Sequence, residues 1–240
     1  MFKYVQVELL KLKKGFAYKL IIILPFIVIG LDLVLMQGLY FMEGSYNWWY
    51  TLFLPGILSM IISFDMVKEK KHNYHGLFAL CIDKSRLWLS KIIVFSWLLL
   101  MMNLLFFLVT ATVAWLLGLQ VELIRYLAAS LILVITNLFW IPLLMYLANK
   151  FGSFIAIFFS LLFNFVGGIL FAGSKLWLMI FAIPARVMCA IIHVLPNGIP
   201  VTADNPLCDP KVILPGIIIS LLSFGVLSLF GSMAFNKQEV

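Results

Sequence analysis

Four side chains of metal-binding type fall close together, His72, His75, Cys81 and Asp83. Their spacing fits no zinc pattern and they lie in a basic stretch, so a solvated loop is the stronger reading and ligation the weaker one. Gly168-Ile-Leu-Phe-Ala-Gly173-Ser174-Lys175 carries two glycines at the interval of a phosphate-binding loop. It has Ser-Lys where that loop needs Lys followed by Ser or Thr, and it ends an apolar run instead of linking a strand to a helix. That match is coincidence. No G-x-S-x-G elbow and no H-E-x-x-H pair occurs. Within the apolar runs the polar residues are Asp32, Asn103, Asn137 and Asn164. The asparagines are most simply hydrogen-bonding residues between helices. Asp32 says more, because a carboxylate facing lipid is costly. Either it pairs with a basic group at similar depth, such as Arg186, or it faces a wet path. A single isolated acid makes no proton relay, so structural pairing is the better account of Asp32.

The elements that must position these residues are membrane spans. The chain has 240 residues, of which 64% are hydrophobic and 11% charged, with a mean hydropathy of +1.12. A soluble domain would carry about 25% charged residues. Apolar runs recur that are long enough to cross a hydrocarbon core of about 30 Å. The fold expected is an all-α polytopic integral membrane protein in a single domain over 1–240. Its spans are placed at 19–40, 48–67, 91–117, 124–148, 153–173 and 212–235. Between the last two lies 174–211, containing "SKLWLMIFAIPARVMCAIIHVLPNGIP". A seventh span there would put Pro184 in mid-helix and Arg186 near the bilayer centre, at a cost of about 2.5–3.5 kcal/mol. A re-entrant hairpin of two half-helices, covered by protein, is cheaper. The first apolar run is too long for a cleavable signal and has no A-x-A site, so it is read as retained.

Charge sets the orientation. With both termini inside, the cytoplasmic side holds Lys3, Lys11, Lys13, Lys14, Lys19, Lys68, Lys70, Lys71, Lys84, Arg86, Lys91, Lys150 and Lys237, and the outer side only Arg125, Lys175, Arg186 and Lys211. This is the positive-inside pattern, and the net charge of +7 needs no nucleic acid to explain it. Residues 1–17 make an amphipathic surface helix. Phe2, Val5, Leu9, Leu12 and Phe16 share one stripe, while Lys3, Lys11 and Lys14 lie on other faces among lipid head groups or serve as topology anchors. The three cysteines show no C-x-x-C spacing, which argues against a metal or redox framework. Cys189 and Cys208 fall on one side of the membrane, either bridged or free.

The charged interval 68–90 encloses a small apolar core, Gly76-Leu77-Phe78-Ala79-Leu80. It is either a protein-binding patch or a segment folded onto the bilayer interface. The chain as a whole resembles ABC-2-type exporter permeases, and within them the permease subunits of lantibiotic immunity transporters, the EpiE/MutE family. The resemblance rests on "VELLKLKKGFAYKLIIILPF", "NWWYTLFLPGI", "KEKK" followed by "LSK", "LFWIPLLMYLANKFG" and "HVLPNGIP", in that order over essentially the full length. Where such permeases often carry Leu-Pro in the loop, this chain reads "LCIDKSR". The resemblance implies an elbow helix at 1–17, a cytoplasmic coupling loop at 68–90 and an extracellular re-entrant segment at 174–211. It implies that Gly76, Leu77, Phe78, Ala79 and Leu80 contact a separate cytosolic P-loop ATPase subunit. ATP and Mg would then belong to that partner, and this chain would bind no cofactor and catalyse nothing. A second permease subunit, identical or different, completes the pair, with a lantibiotic peptide as cargo and membrane lipid around it. A close alternative is an ABC-2-type permease for a lipid or another antibiotic. An ion-coupled carrier would show repeated, broken spans in two similar halves, and an intramembrane enzyme would show paired catalytic groups at depth. Neither pattern is present in this sequence.

Overall fold

A computed structural model describes residues 1–13, 15–36, 40–71 and 83–237. They are helical almost throughout, with no strand among them and one isolated bridge, Val194 to Pro200. The first helix, α1 (Phe2–Lys13), is followed by α2 (Phe16–Met36). Next comes α3 (Phe41–Trp48), which runs through a π-helical turn at Trp49–Phe53 into α4 (Leu54–Lys71). Then come α5 (Lys84–Leu116), α6 (Leu123–Asn137), α7 (Trp140–Phe151) and α8 (Ser153–Val166), the last continued by a second π turn at Gly167–Phe171. A short helix, α9 (Ile183–Ile192), precedes two 3-10 turns and the closing helix α10 (Ile213–Asn236).

Five helical stretches are long and apolar enough to cross a membrane: Tyr18–Leu35, Phe41–Lys70, Lys84–Leu116, Ser153–Phe171 and Pro210–Asn236. A sixth arises if α6 and α7, bent by 42°, are one span. The bend has a local cause. Pro142 has no N–H to give the Leu138 carbonyl, which instead accepts from Ile141 at 3.0 Å, tightening the turn. Between α7 and α8, Gly152 adopts φ +91°, a conformation that favours glycine.

Much of the core comes from α4, α7 and the π turn between α3 and α4. Trp49, Trp140, Leu54, Ile141, Leu144 and Met145 are fully buried there. Trp49 stacks on Phe106 of α5, with ring centroids 4.3 Å apart and planes 3° from parallel. Near the end of α10, Gly231 lets Trp88 of α5 lie against the helix backbone; a Cβ there would be 2.4 Å from the indole. The exposed surface is also apolar. On α10, Leu222, Val226, Leu229 and Met233 face outward at alternating four- and three-residue steps. On α8, Phe154, Phe158, Leu162 and Phe165 face outward at steps of four, four and three residues. In water such stripes would drive aggregation, whereas in lipid they meet chains as apolar as themselves. The fold is that of a protein compatible with a membrane.

Two sequence expectations change. The second long helix starts at Phe41 instead of 48, because Glu43, Ser45 and Asn47 in the turn-like "EGSYN" all find partners in neighbouring segments. Pro184 does not break a helix in two. It sits in the first turn of α9, where no N–H is required, so the segment holds one ten-residue helix preceded by turns, not a pair of half-helices.

Candidate functional site: a buried ion knot at the lysine-rich end

Glu8 of α1, Asp65 and Glu69 of the last turns of α4, and Lys91 of α5 converge on one point. The Lys91 ammonium, 1% exposed, lies 2.8 Å from Glu8 Oε2 and 3.1 Å from Glu69 Oε1 and also pairs with Asp65. Lys11 adds a second cation on the rim, 2.5 Å from Glu8 Oε1 and 2.8 Å from Glu69 Oε1. Two ammonium groups therefore face three carboxylates, leaving the knot one negative charge in excess. Each helix contributes by its register. Glu8 and Lys11 are one turn apart on α1, and Asp65 and Glu69 one turn apart on α4, so each pair shares a face.

The local electrostatics follow from this packing. Burial by itself would raise the Glu8 carboxyl, but Lys91 and Lys11 outweigh it and hold the group below its ordinary value of 4.5. Burial would lower Lys11, but Glu69 and Glu8 outweigh it and hold it above 10.5. Ligand-type oxygens of Glu8, Asp65 and Glu69 all lie within 4.8 Å of one another. The ammonium of Lys91 fills the space between them and supplies the positive charge that a metal ion would bring. The arrangement is an ion cluster that joins three helices, with no group placed for acid–base or nucleophilic work.

The same end carries further ties. Lys70 donates to the Asn149 carbonyl at the end of α7, at 2.6 Å. Asn236 of α10 donates to Ser85 of α5, also at 2.6 Å. Asp83 is the N-cap of α5, accepting from the N–H of Ser85 at 3.0 Å and of Arg86 at 3.2 Å. Its other oxygen pairs with the Arg86 guanidinium at 3.0 Å. His72, His75, Cys81 and the whole of Gly76, Leu77, Phe78, Ala79 and Leu80 lie outside the described residues. What the structure does describe is the frame around them, α4 up to Lys71 and α5 from Lys84, and the knot ties both helices to α1.

The remaining predicted residues are placed as follows. Lys3 is exposed on α1, Lys11 belongs to the knot, and Lys14 is outside the described residues. Asp32 is fully buried but is not paired with Arg186. Its carboxylate accepts from Ser45 at 3.1 Å and fits against Gly44, where a Cβ would come within 2.3 Å of Oδ1. Arg186 instead donates to the carbonyls of Leu207 and Pro206, the latter at 3.4 Å, pinning the chain that returns to α10. The reason is local: residues 206–207 form a turn with open carbonyls beside α9, and a guanidinium satisfies two at once. Cys189 and Cys208 are buried free thiols. Asn103 accepts from the Trp49 indole at 3.1 Å and Asn164 donates across to the π turn, so both bridge helices; Asn137 donates within its own helix, to Leu133. Gly216 packs on Ile183 and Val187 of α9, within this same chain.

In the sequence the knot is hidden, because Lys11 and Lys91 read as membrane-topology lysines. Glu8 was the available signal: an acid on the inward face of an otherwise basic, amphipathic helix needs a buried cation. Comparison with family models, with curated proteins and with solved structures gives no significant match.

Proposed function

We propose that the chain is the permease subunit of an ATP-driven exporter of the ABC-2 type, one that expels a lantibiotic, a cationic amphipathic peptide, from the membrane and so gives immunity or resistance. Six spans cross a bacterial cell membrane with both termini and the lysine-rich end in the cytoplasm, α1 lies as an elbow on the inner surface, and 174–211 is a re-entrant segment on the outside. A second permease subunit pairs with this one. A cytosolic P-loop ATPase, which holds the ATP and Mg, presses on Gly76, Leu77, Phe78, Ala79 and Leu80.

The observation that supports this reading best is the knot. Lys91, Asp65, Glu69 and Glu8 bind the two helices that flank 72–82 to each other and to the surface helix. A push delivered to that loop would move a stiff three-helix end instead of being absorbed by one flexible strand. Buried ion pairs hold such a geometry even where they add little net stability.

The test is a gentle-detergent pull-down from the native cell, with and without Leu77→Asp and Phe78→Asp. The expected result is a stoichiometric P-loop ATPase, lost in the double variant while the permease keeps its helix content. Killing curves with candidate lantibiotics then read the cargo. If the unaltered chain brings down no ATPase in several detergents, the exporter reading falls.

A further inference from the structure

The second long helix is interrupted where it need not be. At Trp49–Phe53 the backbone widens to a π turn, with the Leu54 N–H reaching back five residues to the Trp49 carbonyl. The next residue is Pro55, which has no N–H. In π register that missing donor would have served the Tyr50 carbonyl, and in α register the Thr51 carbonyl. One proline thus removes the intrahelical donor that one of these two carbonyls would have had. A helix in this condition bends easily, because no local hydrogen bond opposes the motion.

Both carbonyls are answered from another helix. The Asn164 amide of α8 donates to Tyr50 O at 2.9 Å and to Thr51 O at 3.0 Å. One turn earlier on the same face, Ser160 donates to the Pro55 carbonyl at 3.2 Å. The Asn164 carbonyl oxygen is buried without a partner, so the amide is oriented by the two acceptors alone. On the upstream side Thr51 donates back to Asn47 O at 2.6 Å, a bond that bends helices, and Trp49 is held by Asn103 at 3.1 Å. Helix α8 is itself followed directly by the second π turn, Gly167–Phe171. Single π turns of this kind mark places where helices change shape.

We propose that Trp49–Phe53 is a hinge in the second long helix and that Asn164 is its latch. While the amide holds the Tyr50 and Thr51 carbonyls, α3 and α4 run on as one continuous apolar stretch. When it lets go, α3 swings relative to α4. The two segments have separate tasks: α3 holds Asp32, Tyr126 and the 195–196 turn through Ser45, Glu43 and Asn47, and α4 holds the ion knot. The hinge lets one end of the bundle rearrange while the other stays tied. This inference does not depend on the exporter reading.

Backbone hydrogen exchange of the full chain in nanodiscs, followed over residues 47–58, tests it. Asn164→Leu removes the latch, and exchange there should rise about tenfold. Pro55→Ala restores a local donor, and exchange should fall below that of the unaltered chain. The decisive measurement is the combination: with Pro55→Ala present, Asn164→Leu should speed exchange much less than it does alone, because one of the two carbonyls then has a partner in its own helix. A residue that merely fills space would raise exchange equally in both backgrounds, and that result overturns the proposal. So does an unchanged rate in Asn164→Leu. If Asn164→Leu does not fold, Pro55→Ala alone decides, and a rate equal to or faster than that of the unaltered chain sinks the hinge.

Discussion

At the lysine-rich end, Glu8, Asp65, Glu69, Lys11 and Lys91 join three helices through charge, whereas at the opposite end, beside the Tyr126–Glu43 and Ser45–Asp32 bonds, several joining groups donate to backbone carbonyls. There Asn47 reaches the carbonyls of Leu195 and Pro196, at 3.2 and 3.3 Å, Arg125 reaches that of Ile191, and Arg186 those of Pro206 and Leu207. The difference follows from what each end must close. Among the described residues, the lysine-rich end is made of helix ends, where Lys70 and Asp83 take up end groups of α7 and α5 and the remaining charged side chains meet one another. The other end contains the turns between α9 and α10, whose carbonyls have no ladder of their own and must be satisfied individually. Charge holds rigid helices together, and donors to carbonyls hold irregular chain in place.

Four outcomes would break or sharpen this contrast. The largest is expected for Lys91→Met, which leaves three carboxylates facing one another in a buried space. It should lower stability by about 3–5 kcal/mol, read from the unfolding midpoint in detergent. Adding Glu8→Gln, Asp65→Asn and Glu69→Gln should return most of that loss, and no recovery would mean that Lys91 acts through packing alone. Next is Arg186→Leu, which strands two carbonyls. A cost of about 1–3 kcal/mol is expected, together with faster proteolysis or exchange confined to 195–210. Effects spreading to α1 would show that the two ends are not separate.

The pH response should also divide them. Glu8 is held below its ordinary value, so its contribution is complete above about 4.5 and is lost as pH falls through the lower folded-state value. Lys11 is held above its ordinary value, so its contribution is complete below about 10.5 and is lost as pH rises through the raised one. A fluorescent reporter at Lys3 should therefore show α1 docked without change from about pH 6 to about pH 9, loosening only at the extremes. A transition inside that window would place a different group in control. The smallest effects are expected at the start of α5. Asp83→Ala should cost about 1 kcal/mol through the lost N-cap. Arg86→Ala, which breaks only an exposed pair with Asp83 at 3.0 Å, should cost no more than about 0.5 kcal/mol by thermal unfolding.

Much of this architecture could be read from the residues. Long apolar runs gave the long helices, and the three- and four-residue steps of Phe2, Val5, Leu9 and Leu12 gave the helix α1. Apart from Pro184, which begins α9 instead of dividing the segment, the readings that change share one origin, the partners of polar side chains. Asp32 and Arg186 were matched by depth, yet each found a nearer partner, a hydroxyl on the next helix for one and turn carbonyls for the other. "EGSYN" has the composition of a turn, and it is helical because Asp32, Tyr126 and the 195–196 turn supply what its side chains need. Lys91 reads as a topology lysine and proves to be buried.

The sequence by itself determined which stretches are helical and apolar, because hydropathy and helix propensity act over neighbouring residues. Only the tertiary structure decided that Glu8 meets Lys91 across 83 positions, and that Asn164 answers the Tyr50 and Thr51 carbonyls more than 100 positions away. Those pairings depend on how helices are rotated and stacked against one another. In an apolar solvent that rotation is fixed by polar groups finding partners, and local periodicity carries no record of it.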